Sequence, residues 1–380
     1  MTSARTEEQM MLRDGVARFV EQNHDFASRR GLIELPMGHS PELWSEMVQL
    51  GWLGVTLPEE QGGFGGGPAE LAIVMEELGR ALVLEPFLSN AVFGADLLAR
   101  HGSDGQQYSL LPDVVSGQAK VALAYLEPGA RYNPLWIETT ATKREGGFVL
   151  NGRKRNVLDG VLADKLIVSA RTGAGTGDVS GVSLFLVDAG SRGLESQDFR
   201  TYDGLRASTI TLNGVSVSAD DAIGAIGGAG PILEDIVQLA CVATCAEAVG
   251  AMQALFDLLL DYLRTREQFG KPIGGFQALQ FRATDMYIAL QQARAMTGQA
   301  VAALGTANAG NQRERERLIS ATKIQVNEAA ALVGCEGVQM HGAIAITDEY
   351  SASHYFKRLE AIEQLFGDSD YHLAKFTADY

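Results

Sequence analysis

Cys241 and Cys245 lie four residues apart, the spacing at which side chains share one face of a helix, and two thiols so placed invite a metal. Their neighbours are apolar and Cys335 is distant, so they read as core thiols. The six histidines (His24, His39, His101, His341, His354 and His372) are scattered, with no HExxH string to hold zinc. No GxSxG string offers a hydrolase nucleophile. Two glycine-rich strings, Gly173-Ala174-Gly175-Thr176-Gly177 and Gly227-Gly228-Ala229-Gly230, suggest a phosphate cradle. Neither is GxGxxG between a strand and a helix, and GxxxxGK[ST] is absent, so both read as turns. No metal site is expected.

The elements that must position any chemistry follow from composition and period. The chain has 380 residues, 46% hydrophobic and 21% charged, which suffices for a folded core and, at roughly 150 residues per domain, for two or three domains. Lys and Arg number 31 against 47 Asp and Glu, a net charge of −16 that repels phosphate backbones and anionic lipid and argues against nucleic acid and membrane surfaces as partners. Three cysteines suit a reduced cytoplasm better than a disulfide framework. The first eight residues carry acid and no apolar core, unlike a signal peptide. The stretch 236–246 is ended by Glu247, short of the roughly 20 apolar residues that span a bilayer. A cytoplasmic protein is expected.

Residues 1–115 read as helices: Leu12, Val16, Phe19 and Val20 recur at helical spacing, as do Leu71, Val74, Met75 and Leu78. A loop rich in glycine, 57–67, separates them, and Pro68 can open a helix. From about 116 the alternation becomes that of strands, at Thr140, Thr142, Phe148 and Leu150, at 166–168, at 182–187, and at Ile210, Leu212, Val215 and Val217. Asn151-Gly152 gives a hairpin signal, and short connections predict antiparallel pairing. The helical period returns over 232–264 and 276–304. A loop is expected at 305–312, then helices from about 314 to 338 and from 353 to the end. The predicted domains are 1–115, 116–222 and 223–380, an α+β chain of helices, strands and longer helices.

A series of strings runs through these elements in order: Pro58-Glu59-Glu60-Gln61-Gly62-Gly63, Glu127-Pro128-Gly129-Ala130, Leu150-Asn151-Gly152-Arg153-Lys154, Ala163-Asp164-Lys165, Arg264-Thr265-Arg266-Glu267-Gln268-Phe269-Gly270-Lys271-Pro272-Ile273, Phe276-Gln277-Ala278-Leu279-Gln280 and Gln339-Met340-His341-Gly342. Together they resemble the acyl-CoA dehydrogenase family from end to end. The stretches 245–252, 354–358 and 365–370 look most like the small subunit of pimeloyl-CoA dehydrogenase. The resemblance implies an N-terminal helical domain, a middle antiparallel β barrel and a C-terminal four-helix bundle. It also implies FAD held between domains and across a subunit interface, and α,β-dehydrogenation of an acyl-CoA. Electrons would pass to an electron-transfer flavoprotein, and the assembly would be a homo-oligomer or a heterotetramer with a large paralogous subunit.

The resemblance also assigns residues. Arg266, a permanent cation, can fork onto a pyrophosphate, although an arginine at a helix end is as ordinary as a solvated cation. Phe276 and Gln280 suit an adenine, and Phe276 suits core packing equally. Gln339 and Gly342 match a second adenosine-side contact, where the family's further glycines are Ala343 and Ala345 here. Tyr125 and Leu126 fall on the strand that would lie along the flavin, with Leu126 where a hydroxyl residue is common. The family's Trp-Ile-Thr string reads Asn156-Val157-Leu158, and its Gly-Ser-Asp reads Arg131-Tyr132-Asn133.

The catalytic base is the least regular position. The family's Tyr-Glu-Gly-Thr string reads Leu365-Phe366-Gly367-Asp368, and the alternative glutamate position falls near Ala240. Asp368 and Glu247 are the carboxylates near enough to stand in. Against this, Asp368 suits a helix N-cap or a ribityl contact, and Glu247 suits an ion pair in the bundle. The expectation is a base-less member of a heteromeric enzyme, with Asp368 as the fallback base.

Overall fold

The structure, a computed structural model, describes residues 5–305 and 312–378. Its first helices are α1 (Glu7–Asn23), α2 (Phe26–Glu34), α3 (Pro41–Gln49) and α4 (Pro68–Ala81). A π-helical segment, Ser89–Asp96, runs into α5 (Leu97–His101), followed by α6 (Asp104–Ser109) and α7 (Leu111–Val115). The strands are β1 (Val121–Ala124), β2 (Thr140–Arg144), β3 (Gly147–Leu158), β4 (Lys165–Arg171), β5 (Val182–Asp188), β6 (Leu194–Arg200), β7 (Arg206–Ser218) and β8 (Ala222–Ile223). Then come α8 (Gly230–Thr265), the two-residue strands β9 (Glu267–Gln268) and β10 (Lys271–Pro272), α9 (Gln277–Gly305), α10 (Gln312–His341), α11 (Ser351–Gln364) and α12 (Ser369–Thr377). The expected order of helices, strands and longer helices is present. The loop expected at 305–312 falls largely on 306–311, outside the described residues.

Packing gathers the chain into two compact units. One comprises Gly31–Gly67 and Leu84–Ala240 and holds the sheet. Strand order is β6-β7-β3-β2-β4-β5-β8, with β1 beside β4. Neighbours are antiparallel except that β1 pairs β4 in parallel, Val121 opposite Lys165, and Thr140 bridges Arg171 in parallel. The all-antiparallel expectation fails there because the β2–β3 hairpin intervenes and gives the chain length to return in the same direction. Phe148, Leu150, Leu166, Val168, Phe185 and Leu212 fill the buried face.

Asn151-Gly152 is not a turn. The β2–β3 hairpin turns at Glu145-Gly146, and β3 runs straight through Asn151 to Leu158. Opposite Asn151 the partner strand β7 bulges at Gly214, whose φ of +70° suits glycine, and the Asn151 side-chain carbonyl accepts from Gly214 N at 2.9 Å. The dipeptide that signals a hairpin here serves a bulge instead. Strand β6 had no sequence signal, because nearly all of Leu194–Arg200 is exposed and nothing alternates.

The other unit takes the chain up to Arg30, Pro68–Val83 and everything from Cys241 on. In its core Leu255, Leu259, Met286, Leu290, Val326, Val333 and Ile362 from α8, α9, α10 and α11 are fully or almost fully buried. Helix α8 is long and apolar enough to cross a bilayer by length and composition, more than the short stretch read from the sequence suggests. Its most apolar window is 89% buried inside the protein, as in the central helix of a bundle. Helix α4 crosses α8 at van der Waals distance: a Cβ on Gly250 would lie 1.8 Å from Glu76 O, and one on Gly79 would lie 2.2 Å from Glu247 O. The last expected helix is in fact two. Phe366 and Gly367 take φ of +60° and +122°, which ends α11 and starts α12 afresh at the Asp368 cap.

Candidate functional site

In the sheet-bearing unit, Tyr125 and Leu126 leave the end of β1, half-buried, and Leu158 ends β3. What holds Tyr125 and Leu126 is a buried ion pair. Lys154, with no exposed side-chain surface, places Nζ 2.6 Å from Glu127 Oε1, 2.9 Å from Ser169 Oγ and 3.4 Å from the Tyr125 carbonyl. Glu127 also accepts from Glu138 N at 2.7 Å and Thr139 N at 3.1 Å. Burial pushes the Lys154 ammonium down to about 8, the Glu127 charge working against that fall. Burial alone would raise Glu127, but Lys154 and the donors around the carboxylate outweigh it and hold it below the usual range. At neutral pH both groups are charged, and the pair is complete.

Next to the pair, Arg155 N donates to Leu126 O at 2.8 Å. Beyond it β3 bulges against β7 between Lys154 and Val157, and Asn156 takes up the extra residue at φ +48°. The altered string Asn156-Val157-Leu158 is therefore a bulge that turns Val157 inward. Arg131 also lies at positive φ, +49°, and its carbonyl accepts from the Arg155 guanidinium at 3.3 Å.

In the helical unit, Arg266 follows α8, is exposed, and uses its backbone to receive the chain back: Arg266 N donates to Tyr262 O, and Ile273 N to Arg266 O, each at 2.8 Å. Phe276 is half-buried, with Lys271 Nζ 4.3 Å from its ring centroid and Phe269 edge-on at 6.0 Å. Gln280 turns its amide onto Gly274 O at 2.9 Å. At the end of α10 Gln339 is exposed, Gly342 has φ of +73° with open space where a Cβ would stand, and Ala343 is exposed. His341 lies between Tyr262 and Tyr350 at centroid distances of 4.8 and 5.2 Å. An exposed guanidinium, a second cation over an aromatic ring and an amide are the donor chemistry that an adenosine diphosphate moiety requires, so the residues present fit that end of a dinucleotide.

The two carboxylates have both found work. Asp368 Oδ1 accepts from Tyr371 N at 2.8 Å as the N-cap of α12. Glu247 meets Arg358 in a buried fork, with Nε and Nη2 donating at 2.6 and 2.8 Å. Phe366 is 7% exposed.

Lys154 and Arg358 were present in the strings read from the sequence but received no role. A signal existed for the first: Lys154 has the parity of Phe148 and Leu150 on β3, and a lysine on the buried face of a strand needs a buried acid. For Arg358 the partner lies 111 residues away, beyond what periodicity can show.

Known proteins resemble the chain over nearly its whole length. The acyl-CoA dehydrogenase N-terminal, middle and C-terminal domain families match residues 6–118, 122–215 and 222–378. Mitochondrial isovaleryl-CoA dehydrogenase of Solanum tuberosum is 29% identical over 370 residues, covering 95% of this chain and 88% of that protein. Acyl-CoA dehydrogenase IpdE2 of Mycobacterium tuberculosis is 30% identical over 362 residues, covering 94% and 93%. Among solved structures, a chain of the ChsE4-ChsE5 complex from Mycobacterium tuberculosis superposes with a TM-score of 0.89 at 26% identity, covering 99% of this chain and 98% of that one. The chain belongs to the acyl-CoA dehydrogenase family. It is an oxidoreductase of that family, and the family's cofactor is FAD.

Proposed function

We propose that this chain is one subunit of a heteromeric, FAD-dependent acyl-CoA dehydrogenase and that it lends its residues to the flavin site without supplying the catalytic base. The observation that carries the proposal is the engagement of both candidate carboxylates: Asp368 caps a helix and Glu247 is forked by Arg358, while Phe366 cannot take a proton. The likeness to a chain of a two-component complex supports the same reading. Bound FAD supplies the acceptor for the substrate's β-hydride.

In this reading Arg266 grips the pyrophosphate, and Phe276 and Gln280 address the adenine. Gln339, Gly342 and Ala343 form the second adenosine-side contact, and Tyr125, Leu126 and Leu158 line the flavin. The partner chain brings the carboxylate that removes the α-proton, so this chain's share is to bind, orient and exclude water. The finer assignments belong to the same proposal: three domains over 1–115, 116–222 and 223–380, a cytoplasmic setting, a bulky acyl group such as the dicarboxylyl chain of pimeloyl-CoA, an electron-transfer flavoprotein as acceptor, and a heterotetramer with a larger paralogue.

Coexpression with a paralogous chain, compared with this chain alone, tests the proposal. The pair should be yellow and its absorbance should bleach with acyl-CoA under anaerobic conditions. This chain alone should not turn over. A homomeric preparation that bleaches fully, and loses about 10²–10⁴ in rate on Asp368→Asn with flavin still bound, would make Asp368 the base and end the partner-subunit reading.

A further inference from the structure

Outside the residues already assigned, the sheet-bearing unit holds a buried ion pair, Glu127–Lys154. A buried ion pair is a poor device for stability alone, since apolar side chains of similar volume often serve as well or better. What this one does is tie β3, at Lys154, to the exit of β1, a strand it does not pair with in the ladder. The three donors of the ammonium go to the exit of β1 at the Tyr125 carbonyl, to the carboxylate of Glu127, and to β4 at Ser169. The carboxylate carries the tie to the start of β2 at Glu138 and Thr139. Lys154 itself is the last residue of β3 in regular register before the bulge that leads to Leu158.

We propose that Lys154 and Glu127 are positioning residues for the flavin. The pair sets the spacing between the Tyr125–Leu126 edge and the Asn156–Leu158 bulge, the chain segments assigned above to the flavin end. The inference rests on that assignment. The contact Arg155 N to Leu126 O, at 2.8 Å, transmits the spacing, because it is the backbone bond immediately beside the pair. If the ammonium is lost, the Tyr125 carbonyl and Ser169 lose their shared donor, and the edge is free to shift against the bulge by the few tenths of an ångström that alter flavin contacts.

The test uses the complete chain, with its partner where the partner is needed for flavin uptake. The double variant Lys154→Met/Glu127→Gln removes both charges and keeps one side-chain oxygen to accept from the Glu138 or the Thr139 amide. Its FAD dissociation constant should rise at least tenfold, and its flavin midpoint potential and visible absorption band should shift from the wild-type values. Ser169→Ala, a milder change that leaves the charges in place, should weaken FAD two- to fivefold and move the band in the same direction. If the double variant does not fold, Ser169→Ala decides by the same readouts. Wild-type affinity, potential and spectrum in the folded variants would reduce the pair to a structural role and overturn the inference while leaving the proposed function standing. A wild-type chain that takes up no FAD, alone or with its partner, would overturn both.

Discussion

Two regions of this protein hold their charges in opposite ways. Around Lys154 the charges face inward: no side-chain surface is exposed, and the ammonium's partners are all supplied by the chain itself. Around Arg266 the charges face outward: Arg266 and Lys271 are exposed, Phe269 is 91% exposed, and the Gln280 amide reaches back to Gly274 O before its helix. The difference teaches where stability and binding are separable. A complete interior pair is coupled to folding, because either partner left alone is an uncompensated buried charge. An exposed guanidinium contributes little until an anion arrives, because water screens it.

The comparison breaks most severely at the helix crossing, where no charge is involved. Gly250→Ala puts a methyl group 1.8 Å from Glu76 O, so α4 and α8 must separate. The expected loss is about 3 kcal/mol or more, read by denaturant unfolding, with little soluble protein recovered. Glu247→Gln tests the inward rule itself. It leaves Arg358 buried against a neutral amide and should cost about 3 kcal/mol in stability. The proposed heteromer should retain its turnover at temperatures where the variant stays folded, and a selective loss of turnover would make Glu247 catalytic.

His24 gives the inward side a pH signature of comparable size. Burial, helped by the nearby Arg29 charge, lowers it from 6.5 to about 4. The unfolded chain takes up this proton near pH 6.5 and the folded chain only near pH 4, so the contribution is full above 6.5 and drains away as the pH falls through that window. The span is worth up to about 3 kcal/mol, and His24→Gln should flatten that part of the stability profile.

Arg266→Gln tests the outward rule: unfolding should move by less than about 0.5 kcal/mol, while FAD affinity falls by roughly 10–100-fold. A large stability loss with unchanged flavin binding would show Arg266 to be part of the scaffold. The smallest effect is expected at Asp368→Asn. Asparagine caps a helix about as well as aspartate, so stability should hold within a few tenths of a kcal/mol and turnover of the proposed heteromer should not change.

How much of this was legible in the sequence depended on whether the signal was local. Helices α1 and α4 announced themselves through Val16, Phe19, Leu71 and Val74, because a buried stripe must repeat at the helical period. The β2–β3 alternation was equally plain, and the ordered strings were enough for the family. Asn151-Gly152 misled because the same conformational freedom serves a hairpin or a bulge, and only the partner strand decides which. The last helix was read as continuous because Phe366 and Gly367 interrupt it by backbone conformation and not by composition.

The sequence by itself therefore determined the order of helices and strands and the family, because each is written in residue type and spacing along one stretch of chain. Only the tertiary structure decided what the remaining charges do. Glu247 and Arg358 are 111 residues apart, and Glu127, in the connection after β1, is 27 residues from Lys154 on β3. Whether a carboxylate is a free base, a helix cap or half of an ion pair depends on what folding brings within 3 Å of it. Desolvation makes that neighbour decisive, since a charge taken out of water must be paired or neutralised.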